Sequence, residues 1–260
     1  MEKLSVLKIA VSIGAYKDFL EKIISDAIAK RSGYICVANV HMLMEAHSDP
    51  SFADVLKKAN VITPDGMPLT WAMRLLYNRR QDRVAGMDLL PDILERASKS
   101  KLSIYFYGGT EEMLQKTKEY LTVRYPGITL AGMYSPPFRS LTREEDEKVI
   151  SDINGSGSSL VFVALGCPKQ EKWMASMKGK IHAEMVGIGG ALPVMVRMQK
   201  RAPLWMQQSG LEWMFRFIQE PRRLFKRYAV TNTRFVMLLL KELIQMQSLK
   251  PAANLKVIQP

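Results

Sequence analysis

Short apolar runs alternate with longer segments of helical period along most of this chain. The runs fall at residues 34–38, 61–63, 103–107, 128–132, 160–165 and 184–188, and they suit short buried strands. Between them, the spans 42–59, 68–77, 88–98, 111–124, 142–154 and 168–177 have the spacing of helices with one buried face. Asp88 precedes an apolar run as a helix cap would, and Thr142 with Glu145 has capping-box spacing. Strand followed by helix, repeated, predicts an α/β fold. The expected form is a Rossmann-like, mostly parallel sheet with helices on both faces.

From about residue 200 the pattern changes. Two helices are expected, at 203–219 and 221–246, with Pro203 and Pro221 where a first-turn proline is tolerated. Residues 197–260 hold twelve Lys/Arg and three acids, so they carry most of the chain's net charge of +12. The expected organisation is an α/β domain at 1–200 and a basic, aromatic-rich helical appendage at 201–260, frayed from about Lys250. Such a charge implies an anionic partner: nucleic acid, phosphorylated metabolites or an acidic membrane surface. Arginines interleaved with Trp205, Trp213, Phe215, Phe217, Phe225 and Tyr228 suit a lipid interface, with rings at headgroup level. The same charge suits nucleic acid, but no nucleic-acid motif accompanies it. No run approaches the ~18 apolar residues that span a bilayer, so any membrane contact is expected to be peripheral. The two cysteines, Cys36 and Cys167, have neither metal-ligand nor disulfide spacing, and the N-terminus does not read as a signal peptide. A reducing cytoplasm fits best.

Candidate chemistry collects just after the expected strands: Asn39 and His41, Asp65 and Gly66, Gly108 and Gly109, Gly166, Gly189 and Gly190. In an open α/β sheet the ligand crevice lies outside the carboxyl ends of the strands. Any one of these turns is explained by a glycine ending a strand; five in one chain point to a ligand site. Gly108-Gly109-Thr110 offers backbone N–H groups to a phosphate or ribose oxygen. Neither it nor Gly187-Ile188-Gly189-Gly190 matches a dinucleotide fingerprint or a P-loop, which argues against a nicotinamide-dependent oxidoreductase. Asp65 can accept a proton from a substrate hydroxyl, although its local spacing alone assigns it to a turn or helix cap. Lys169 and Gln170 follow Pro168 near a helix start and suit a diphosphate or a base edge, or a solvated helix face. Arg83 and Asp88 flank Gly86 as a loop ion pair would. The three histidines have no metal spacing and no Asp-x-Asp is present, so no metal site and no cofactor is expected.

In order along the chain, ANVHM at 38–42, TPDGMP at 63–68, RVAGMDL at 83–89, YGGTEE at 107–112, ALGCPKQEKWM at 164–174 and GIGG with KRAPLWMQQSGLEWMFRF and EPRRLFKRY in 187–228 resemble the WecG/TagA/CpsF glycosyltransferases. The likeness covers nearly the whole chain. It implies an inverting, metal-independent transferase of a hexosyl or N-acetylhexosaminyl (including mannosaminyl) group. The donor would be a UDP-sugar and the acceptor a polyprenyl-diphosphate-linked saccharide. The setting would be the cytoplasmic face of a bacterial membrane, in exopolysaccharide, teichoic acid or common antigen synthesis. The resemblance implies Asp65 as general base, with Asn39, Gly108, Gly109 and Gln170 around the donor. Arg83, Lys169 and Gly189 join them as candidate substrate contacts. Arg216, Arg222, Arg223 and Arg227 would meet the acceptor diphosphate and the membrane. The chain departs from the pattern in three places: Val37 stands where many members have threonine, Leu192-Pro193 where many have Phe-Asp, and Arg197 where many have glycine. Donor sugar and linkage are therefore left open, and a homo-oligomer is compatible with the sequence. The competing expectation is a non-catalytic α/β protein that binds membrane or nucleic acid.

Overall fold

The computed structural model describes residues 1–248, so the expected frayed tail lies outside the described residues. The chain opens with an antiparallel hairpin, β1 (Lys3–Val6) and β2 (Ile9–Ser12), closed by Leu7 and Lys8 at φ 50° and 68°. Helix α1 (Tyr16–Ile28) follows. Then come β3 (Tyr34–Ala38), α2 (Val40–Ser48), α3 (Pro50–Lys57), β4 (Val61–Pro64), α4 (Met67–Tyr77), α5 (Gly86–Lys99) and β5 (Ser103–Gly108). The middle of the chain forms α6 (Glu111–Arg124), β6 (Thr129–Tyr134), α7 (Arg143–Gly155), β7 (Leu160–Ala164), α8 (Lys169–Met177), β8 (Glu184–Gly187) and α9 (Ala191–Met195). The appendage consists of α10 (Leu204–Gln208), α11 (Glu212–Gln219) and α12 (Pro221–Ser248).

Six strands form one wholly parallel sheet in the order β4-β3-β8-β7-β5-β6. The fold is α/β and Rossmann-like, as the alternation implies. Successive strand residues point to opposite faces. Tyr34, Cys36 and Ala38 of β3 and Val161 and Val163 of β7 enter one core with α2, α3, α4, α7 and α8. Ile35, Leu160, Phe162, Ile104 and Phe106 enter the other with α1, α5, α6 and α9. Burial on both faces is why the strands read as continuous apolar runs.

The connections decide where the site lies. The chain leaves β3 and β7 toward the first core, and leaves β8, between them, toward the second. Neighbouring strands whose connections part to opposite faces open a crevice at their carboxyl ends. Register keeps those ends level: Ala38 pairs with Pro64, and Gly187 pairs with both Cys36 and Val163.

Several expected elements change. The span 42–59 is two helices. Asp49 ends α2 and its Oδ1 accepts from Ser51 N at 2.9 Å to cap α3, with Pro50 in the first turn. The span 203–219 also divides, at Ser209-Gly210, where Gly210 takes φ 71°. A Cβ there would stand 2.7 Å from the Trp71 ring, so the turn needs glycine twice, for its backbone angle and for its contact with α4. Asp88 is not the cap of α5: the cap position is Ala85, and the Asp88 carboxylate takes Arg83 and Arg201 instead. The capping box at Thr142 and Glu145 is present. Arg197, in the place of the family glycine, holds φ 59°, a left-handed angle that costs a non-glycine residue about 1 kcal/mol or more.

The appendage packs on the α/β body. Phe235 of α12 is buried in the first core beside α2. Leu7 N donates to Glu242 Oε2 at 3.0 Å, and Arg234 Nη1 donates to Ser48 Oγ at 2.8 Å. Among the described residues no helix is long and apolar enough to cross a membrane.

Candidate active site

A cavity of about 950 Å³ opens at the carboxyl ends of β4, β3, β8 and β7, beneath α11 and α12. Of the residues marked by sequence, Asn39, Asp65, Arg83, Gln170, Gly189 and Arg216 all line it. Gly108, Gly109, Lys169 and Arg222 do not. Gly108 has a structural duty: at φ 104°, a Cβ would stand 2.8 Å from the Ala164 carbonyl, so its absence lets β5 and the end of β7 approach. Lys169 and Arg222 are exposed. The side chains of Arg223 and Arg227 lie outside the described residues.

Asp65 sits one residue past β4, and its N–H donates to Ala38 O at 2.8 Å, which fixes the backbone. Its Oδ1 accepts from Gly86 N at 3.1 Å, the first N–H of α5. Asp65 therefore caps a helix, as local spacing suggests, but that helix is α5, which starts at Gly86, and not α4, which Asp65 precedes and which starts at Met67. Burial pushes its carboxyl from 3.8 to about 6, and the nearby Glu212 pushes the same way. Arg216, the Gly86 N–H and Arg83 oppose them. A carboxyl in that range is a base near neutral pH that holds a proton more strongly than an ordinary aspartate.

Asn39 caps α2, its Oδ1 accepting from Met42 N at 3.2 Å, and its NH₂ group has no partner among the described residues. Gln170 is buried. Its Oε1 accepts from Gly166 N at 3.2 Å and its Nε2 donates to Glu171 Oε1 at 2.7 Å. Gly187 and Gly189 are the floor beside it: a Cβ on either would lie 3.0 Å and 3.2 Å from the Gln170 amide. Val37, one of the family departures, lines the cavity and contacts Gly86, and Pro193, another, also lines it.

Arg83 is a cation held by two carboxylates. Nη1 donates to Glu212 Oε2 at 2.7 Å and Nη2 to Asp88 Oδ2 at 3.0 Å. Arg216, one helical turn after Glu212, reaches across to Gly190, where a Cβ would stand 3.0 Å from its Nη2. Among the described residues Arg216 makes no ion pair. Sequence reasoning missed Glu212, Lys200, Gln199 and Gln207 as cavity residues. The signal for Glu212 was its i,i+4 spacing to Arg216, which places both on one helix face.

The far wall is apolar. Met67, Pro68, Trp71 and Leu75 of α4 face Phe235, Leu239, Leu240 and Leu243 of α12 across the same space. One cavity thus joins a polar floor with a carboxylate and an arginine to an apolar channel. Among the described residues no set of three or more His, Cys, Asp or Glu converges as metal ligands would.

The model of the Glycosyl transferase WecG/TagA/CpsF family matches residues 4–249, both the sheet and the appendage. The chain belongs to the WecG/TagA/CpsF glycosyltransferase family. It is 33% identical over 232 residues, 89% of this chain and 87% of the other, to an N-acetylglucosaminyldiphosphoundecaprenol N-acetyl-beta-D-mannosaminyltransferase of Bacillus subtilis (strain 168). It is 34% identical over 194 residues, 74% of each chain, to a protein of the same name from Bacillus spizizenii. As a member of this family the chain is a glycosyltransferase, and the cavity under α11 and α12 is its candidate active site.

Proposed function

We propose that this glycosyltransferase moves a sugar from a UDP-sugar to a polyprenyl-diphosphate-linked saccharide, with inversion, without a metal, and with Asp65 as base. The acceptor is N-acetylglucosamine on a polyprenyl diphosphate, by analogy with the Bacillus relatives. The observation that carries this reading is the single cavity with two characters. An amphiphilic acceptor needs a polar end where its sugar and diphosphate react and an apolar wall for the start of its chain. The Asp65–Arg216 floor and the α4–α12 wall offer both.

The reaction is a single displacement. The acceptor hydroxyl oxygen attacks the anomeric carbon, Asp65 takes its proton, and the bond from that carbon to the UDP oxygen breaks with its electron pair on the diphosphate. Arg216 and Lys200 receive the negative charge that develops there. Arg83 contributes at longer range, because two carboxylates already hold it. Asn39 and Gln170 present amides to the donor.

The appendage is proposed to rest on the inner face of the cytoplasmic membrane, where its exposed Leu204, Trp205, Phe225 and Ile244 meet lipid. A panel of UDP-sugars assayed with a polyprenyl-diphosphate N-acetylglucosamine acceptor tests the reading. The expected result is acceptor-dependent UDP release with one N-acetylhexosamine donor, unchanged by EDTA. Donor hydrolysis that ignores the acceptor, or activity abolished by EDTA and restored by a divalent cation, would contradict it.

A further inference from the structure

Glu212 has no part in that displacement, yet it sits at the centre of the cavity's charges. It opens α11, with its side chain 20% exposed, and lines the cavity together with Asp65. A ladder of charges runs through it: Arg201 to Asp88 of α5, Asp88 to Arg83, and Arg83 to Glu212 of α11. The ladder ties the appendage to the start of α5, and the N–H that begins that helix holds Asp65. One turn beyond Glu212, Arg216 lies against Gly190.

We propose that Glu212 is a positioning residue for the transfer reaction: through Arg83 it docks α11 so that Arg216 and its own carboxylate stand at the cavity floor beside Asp65. This inference rests on the reading of Asp65 as the base. The charged groups facing Asp65 are Glu212 and Arg216 from α11 and Arg83 from the segment before α5. The Glu212 carboxylate absorbs the Arg83 charge and repels a second negative charge nearby, so it favours the protonated form of Asp65. With Glu212 neutral, Arg83 would act on Asp65 without its counter-charge and make Asp65 a weaker base.

The test is the acid limb of the pH–rate profile, measured for wild type, Glu212→Gln and Glu212→Asp, with Asp65→Asn alongside. Glu212→Gln keeps the size and hydrogen-bonding capacity of the side chain and removes its charge. Its acid limb should move to lower pH by about one unit, with lower kcat and little change in KM for the donor. Glu212→Asp keeps the charge and should leave the limb near its wild-type position. An acid limb that stays put in Glu212→Gln, while Asp65→Asn is inactive, overturns the role of Glu212 and leaves the base intact. Turnover by Asp65→Asn at near wild-type rate overturns the base, and this inference with it.

Discussion

Glu184 shows what an unpaired buried carboxyl does to this molecule. It lies at the amino end of β8, away from the cavity, fully buried, and neither oxygen has a hydrogen-bond donor among the described residues. Burial first, then the neighbouring Asp26, push its carboxyl to about 8, against Lys22, Lys178 and Arg31. The folded value exceeds the unfolded one, so the folded chain prefers the neutral acid. The contribution of this group to stability is greatest below the ordinary glutamate value of about 4.3 and falls as pH rises from there to about 8. Glu184→Gln removes the ionisation without changing shape. In denaturant titrations it should match wild type near about pH 4 and gain by about 1–3 kcal/mol toward about pH 8. An equal difference at both ends would contradict this account. Asp65 is its counterpart at the cavity: burial raises it too, but it lines the open space. From sequence alone its role was ambiguous, because its helix partner Gly86 lies twenty-one residues away and only the fold brings them together.

At the scale of elements, the six sheet strands were legible to within one or two residues. Parallel strands buried on both faces leave an unbroken apolar run in the sequence. The helices at 42–59 and 203–219 were legible as helical spans but not as pairs. Apolar spacing continues across Asp49-Pro50 and Ser209-Gly210, although both dipeptides are good turn formers. The β1–β2 hairpin has only four residues per strand and mixed polarity, too little for a period to register. Helix α1 carries Phe19, Leu20, Ile23 and Ala27 at helical spacing, a signal that was present, though the helix is not among the expected elements. The basic appendage was foreseen as helical, and the structure adds its docking through Phe235 and the Gly210–Trp71 contact. Met237 and Ile244 are each 66% exposed on α12, seven residues apart and so on one side. If that side meets lipid, Met237→Glu with Ile244→Glu should weaken sedimentation with anionic liposomes about tenfold or more. Unchanged binding would move the membrane contact elsewhere.

Across the whole molecule, the site draws on residues from Val37 to Leu243, and no local motif contains it. Turn residues after the strands pointed to the end of the sheet where the cavity opens, the carboxyl end at which connections to opposite faces leave a crevice. They also marked residues that do not line it: Gly108 ends β5 and Gly109 follows, beyond the cavity, and Lys169 is exposed. Glu212 stayed hidden because one acid among many cations reads as a small change in net charge. Its meaning depends on Arg83, more than a hundred residues earlier. Such pairings exist only in three dimensions, and here they join the appendage to the cavity floor.

The central claim is that Asp65 takes the acceptor proton. Its most direct test is turnover of Asp65→Asn with a UDP-sugar and a polyprenyl-diphosphate acceptor, beside donor binding and the wild-type pH profile. The account predicts retained donor binding, a loss of transfer of about 10²–10⁴-fold, and wild-type kcat/KM that falls below about pH 6 as Asp65 gains its proton. Near wild-type transfer by Asp65→Asn would contradict it.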